Sequence, residues 1–172
     1  MFEAALQAGF SAAGVDTVMC GELPTPGVAY LTRLRGYQAG VVVSASHNPC
    51  EDNGVKFFSA TGDKLPDGME ADIERTMDQP MVCLPSSQLG RVSQLPEASS
   101  LYIEFCRKAV PAGVHLRGMK IVVDAAHGAC HRIAPEVFRQ LGAEVIAVGA
   151  SPDGQNINDK VGATSPQHLS AA

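Results

Sequence analysis

The sequence predicts an α/β protein: a mixed sheet flanked by helices, followed by the opening βαβ unit of a second, similar domain. Three observations carry this. Short apolar runs rich in β-branched residues recur at 40–45 and 119–124, as in strands covered on both faces. Segments with helical apolar spacing alternate with such runs, which is the order of elements in α/β folds. Pro111 and Gly113 then break the chain between two such series, dividing it into residues 1–110 and 111–172.

In chain order, Phe2, Ala5, Leu6, Phe10 and Ala13 have helical spacing and Gly14 stops them. Residues 15–20 are expected as a strand. Pro26 suits the first turn of a helix reaching about Leu34, with Gly36 and Gly40 ending the segment. Residues 40–45 form the next strand, 46–54 a polar loop, and 55–59 the returning strand, turned by Thr61-Gly62-Asp63. A helix over 67–78 has Asp67 as its N-cap. Residues 79–96, with Pro80, Pro85 and Pro96, are expected as a surface connection, and a helix follows over 97–109. In the second unit, a strand over 119–124, a helix over about 130–141 stopped by Gly142, and a strand over 144–148 make a βαβ unit with a parallel pair. Residues 151–172 are expected as a loop without a strand.

The chain has 172 residues, with 13 Lys and Arg against 18 Asp and Glu, for a net charge of −5. That balance disfavours nucleic acid and anionic membrane as partners, since both call for a basic footprint. No apolar run approaches the ~20 residues that span a bilayer, and residues 1–5 lack the basic start of a signal peptide. The five cysteines, Cys20, Cys50, Cys83, Cys106 and Cys130, are odd in number and widely spaced, without a C-x-x-C pair. They fit buried or half-buried thiols in a reducing cytoplasm better than a disulfide framework or zinc site.

The chemistry concentrates at residues 40–59. A strand ends in Ser44-Ala45-Ser46-His47-Asn48-Pro49, and the next strand brings back Lys56. Loops at the carboxyl ends of strands are where ligands sit in α/β folds. A hydroxyl, an imidazole and an ammonium in one small volume suit phosphoryl transfer: an oxygen to carry the group, a cation to offset its charge, and a group to move a proton. Strand alternation puts Ser44 and Ser46 on the same side, so geometry leaves both open as carrier. Pro49 pushes Asn48 out of helical geometry. Elsewhere, His127 and His131 with Cys130 lack a third ligand for a metal, and Asp153, Asn156, Asn158 and Asp159 lack the glycine position of a calcium loop.

Ser-Ala-Ser-His-Asn-Pro followed by Asp-Asn-Gly-Val-Lys-Phe resembles the phosphoserine loop of the α-D-phosphohexomutase family. The likeness extends through Pro24-Thr25-Pro26, Lys64-Leu65-Pro66, the stretch 120–129, Pro152-Asp153-Gly154-Gln155-Asn156-Ile157-Asn158, and Val161-Gly162-Ala163-Thr164. It implies that residues 1–110 are most of the family's first α/β domain and 111–172 the start of its second. It implies Ser46 as the phosphoryl carrier and Lys56 as electrostatic stabiliser and proton-transfer candidate. His47 would orient the phosphate, and Asn48 and Pro49 would shape the loop. It implies Mg2+ held through the phosphate on Ser46, and a hexosamine phosphate, bound by Lys56 and His47, isomerised between its 6- and 1-phosphates through a 1,6-bisphosphate. Glucose or mannose phosphates remain alternative substrates, and a non-catalytic sugar-phosphate-binding relic is the alternative from another class. The family's Asp-Gly-Asp-Gly-Asp metal loop is absent, so the chain is expected to be a fragment without turnover of its own. Oligomeric state is left open.

Overall fold

The computed structural model describes residues 1–172. Six α-helices and six strands follow one another as α1 (Phe2–Ala12), β1 (Thr17–Met19), α2 (Thr25–Arg35), β2 (Ala39–Ser44), β3 (Gly54–Ser59), α3 (Asp67–Met77), β4 (Val92–Gln94), α4 (Ala98–Lys108), β5 (Lys120–Asp124), α5 (Ile133–Gln140), β6 (Glu144–Val148) and α6 (Gln167–Ser170). The class is the predicted mixed α/β. Its strands, however, form three two-stranded sheets: β1 with β4 in parallel, β2 with β3 antiparallel, and β5 with β6 in parallel. With one neighbour each, β2 and β5 are only partly covered, and the expectation of strands buried on both faces is corrected accordingly. No helix is long and apolar enough to cross a membrane.

Four further expectations are corrected. The segment 79–96 contains β4, whose Val92, Ser93 and Gln94 pair with Thr17, Val18 and Met19. Pro66, not Asp67, is the N-cap of α3 and gives no side-chain bond; Asp67 instead sits in the first turn, where its charge favours the helix dipole. The last loop carries the short α6. The helix expected from about residue 130 begins at Ile133, so His127 and His131 precede α5 in a turn.

The core joins both sequence units. Leu23, Leu31, Leu95, Ala98, Tyr102 and Ile133 form one buried cluster, so α2, α4 and α5 close on one another. Leu31 is 1% exposed, and burying such a side chain contributes about 1.5–3 kcal/mol. Gly40 lets β2 press onto α2: a Cβ there would collide with the Thr32 hydroxyl, which is tied to the Val28 carbonyl at 2.8 Å.

Candidate functional site

The site is built at the end of the β2–β3 hairpin. The pairs Val42 with Lys56 and Ser44 with Gly54 place Val42, Ser44, Gly54 and Lys56 on one face. Lys56 is exposed and has no carboxylate within ion-pairing distance. Its ammonium is therefore free to meet an incoming anion.

After Ser44 the backbone turns sharply. Ser46 is exposed and held at φ 60°, in the left-handed region. For a residue with a Cβ this costs about 1–2 kcal/mol, and it persists only where neighbours over-determine it. Three bonds do so. The Ser46 N–H donates to the Ser44 Oγ at 2.9 Å, and the Asn48 N–H donates to the Ala45 carbonyl at 3.0 Å. Asn158 Nδ2, from the second unit, donates to the Ser46 carbonyl at 3.0 Å and to the Asn48 carbonyl at 2.8 Å. The two serines thus differ: Ser44 Oγ is engaged as an acceptor inside the turn, while the Ser46 hydroxyl has no protein partner. His47 and Pro49 are exposed beside it, and the Pro49 carbonyl accepts from the Asp52 N–H at 3.0 Å. In the same loop Cys50 is kept a thiol, its pKa raised by desolvation and then by the Glu51 carboxylate.

Asn158 is held in turn by its own unit. It also lies in the left-handed region, φ 61°, and its N–H donates to the Ala126 carbonyl at 2.9 Å. Asp124, at the end of β5, accepts from the Ala126 N–H at 2.9 Å and the Gly162 N–H at 2.7 Å, closing the loop that presents Asn158. Sequence reasoning placed Asn158 in a turn-rich loop and missed this contact; the signal was an Asn-rich run, the residue type that tolerates positive φ.

A cleft of about 770 Å³ lies against this junction, walled by the edges of β1 and β2 and by His127, His131 and Asn156. Ser44 and Ala45 line it; Ser46, His47 and Lys56 do not. His127 accepts the Ser151 N–H at Nδ1, 3.1 Å. His131 faces the Gly128 carbonyl at 3.1 Å and Glu22 at 3.6 Å. Both rings are engaged in holding loops. Asp153 accepts the Gln155 and Asn156 N–H groups at 2.8 and 2.9 Å, which hold its carboxyl below the usual range and mark a turn. Nowhere do three or more His, Cys, Asp or Glu side chains converge into a group able to hold a metal ion. The side chains of this chain do not by themselves fit a Mg2+ cage, which calls for about six oxygen ligands.

Residues 1–81 match the family model for phosphoglucomutase/phosphomannomutase, alpha/beta/alpha domain I. The likeness to curated relatives extends across nearly the whole chain. A phosphoglucosamine mutase of Paraburkholderia xenovorans is 60% identical over 169 residues, 98% of this chain and 37% of the relative. The chain is similar to proteins of the α-D-phosphohexomutase family over nearly all of its length. A phosphoglucosamine mutase of Burkholderia multivorans is 59% identical over all of this chain and 38% of its own length. The chain thus spans well under half the length of these relatives. Among solved structures, a phosphoglucomutase/phosphomannomutase family protein of Burkholderia thailandensis superposes with TM-score 0.69 at 29% identity, over 88% of this chain and 33% of that one. An N-acetylphosphoglucosamine mutase of Aspergillus fumigatus, solved with glucose 1,6-bisphosphate, is 18% identical with TM-score 0.56 over 99% of this chain and 43% of its own; it supports the family fold.

Proposed function

We propose that the chain is the phosphoserine-bearing part of a phosphoglucosamine mutase, acting in the cytoplasm on glucosamine 6-phosphate to give glucosamine 1-phosphate. The observation that supports this most is the Ser46 hydroxyl, exposed and unpartnered in a left-handed turn one strand away from the unpaired Lys56. The relatives' shared name supports the choice of amino sugar.

In the proposed cycle, phosphorylated Ser46 transfers its phosphoryl group to O1 of glucosamine 6-phosphate. The Ser46 Oγ–P bond breaks, an O1–P bond forms, and the O1 proton passes to the Ser46 oxygen. The 1,6-bisphosphate reorients, and its 6-phosphoryl group moves to Ser46 as the proton returns to O6. Lys56 offsets charge on the transferring oxygens and is the candidate to relay the proton, and His47 orients the phosphate. Asn48 and Pro49 hold the turn. Magnesium would offset the charge of the phosphate on Ser46, with its further ligands supplied from outside this chain. The 172 residues alone are expected to show no turnover.

The test offers labelled glucosamine 1,6-bisphosphate to the chain extended to the relatives' length. Label is expected on Ser46 and absent after Ser46→Ala. Label retained in that variant moves the carrier elsewhere, and no label in either sinks the mutase assignment.

A further inference from the structure

We infer that Asn158 is a positioning residue for the phosphoryl-carrier loop, resting on the assignment of Ser46 as carrier. Its side-chain nitrogen is the direct polar tie from the second unit to the Ser46 turn, bridging 112 residues of sequence. The two acceptors, the carbonyls of Ser46 and Asn48, flank His47. Both can be served only by the two hydrogens of an amide nitrogen, so the orientation of the amide is fixed by its partners. Two carbonyls two residues apart converge on one atom only in a tight turn. The clamp therefore enforces the left-handed Ser46 backbone that leaves its hydroxyl unpartnered.

The clamp is itself braced. Asn158 hangs from the Ala126 carbonyl, and Asp124 bonds both Ala126 and Gly162. The carrier turn in the first unit thus takes its shape from a carboxylate at the end of β5 in the second. Asn158 touches no reacting atom and acts through the turn.

The test uses two variants of the 172-residue chain. Asn158→Asp keeps size and shape but replaces the donor with an acceptor facing two carbonyls. Asn158→Gly keeps the φ 61° backbone without strain but removes the side chain. Both should raise amide exchange at Ser46 and Asn48 by roughly tenfold or more, the loss of one or two hydrogen bonds, and leave the β2–β3 ladder unchanged. Both should also shift the carbonyl carbon resonances of Ser46 and Asn48 away from their hydrogen-bonded positions. A purely backbone role predicts that Asn158→Gly matches the unmodified chain, and that result overturns the inference, as do unchanged exchange and unchanged carbonyl resonances in Asn158→Asp. The labelled-phosphate test of Ser46 decides the carrier assignment separately: its failure leaves the exchange result standing, and unchanged exchange removes the clamp whatever the label shows.

Discussion

Two serines stand two positions apart at the end of β2, and the turn uses them differently. Ser44 lends its oxygen to the Ser46 N–H, whereas the Ser46 hydroxyl is uncommitted. In a full-length enzyme, Ser44→Ala is therefore expected to keep the phosphate label on Ser46 while slowing uptake several-fold, by about 0.5–1.5 kcal/mol of lost hydrogen bonding; mass spectrometry of the labelled peptide checks both. A second residue-scale prediction concerns Tyr102, whose phenol is pushed up to about 12 by burial and then by the neighbouring Cys106. Unfolded tyrosine ionises near pH 10. Between about pH 10 and 12 the unfolded chain thus releases a proton that the folded chain keeps, and stability falls as pH rises through that window. Melting temperatures from pH 8 to 11 should show the drop, and Tyr102→Phe should flatten it. The polar turn at Ser46 was legible in sequence because its motif is local and long. The Asn158 clamp was not, because its partners lie 112 and 110 residues away, and neither was the Asp124 brace, which reaches Gly162 across 38 residues; no local pattern encodes such pairings.

At the scale of elements, helices were the easier part. The apolar spacing of α1, α2 and α4 and the Gly stop after α2 survive in the structure within one or two residues. Strand β4 was hidden for a physical reason: Val92, Ser93 and Gln94 are exposed, too short for a period, and become a strand only by pairing with β1 over 75 residues of sequence. The hairpin was legible as two strands, yet its packing depended on Gly40, which no pattern reveals. Gly40→Ala is expected to destabilise the chain by roughly 1–3 kcal/mol through the forced separation of β2 from Thr32. Leu31→Ala should cost about 2–5 kcal/mol by opening a void in the central cluster. Chemical denaturation measures both, and a Gly40→Ala chain as stable as the parent contradicts the close approach.

For the whole molecule, three two-stranded sheets expose more strand edge than one continuous sheet of six strands. Phe2, Met77, Met81 and Val82 are also at least half exposed. Self-association that grows with protein concentration is expected in sedimentation experiments; a strictly monomeric chain at high concentration counts against it.

The cluster that draws Ile133 in among Leu23, Leu31, Leu95, Ala98 and Tyr102 has a mechanical meaning. The connection around 111–118 looks like a hinge in sequence, but the apolar lock beside it resists bending. A protease nicking that connection should leave two pieces that still travel together on a sizing column and separate only in denaturant.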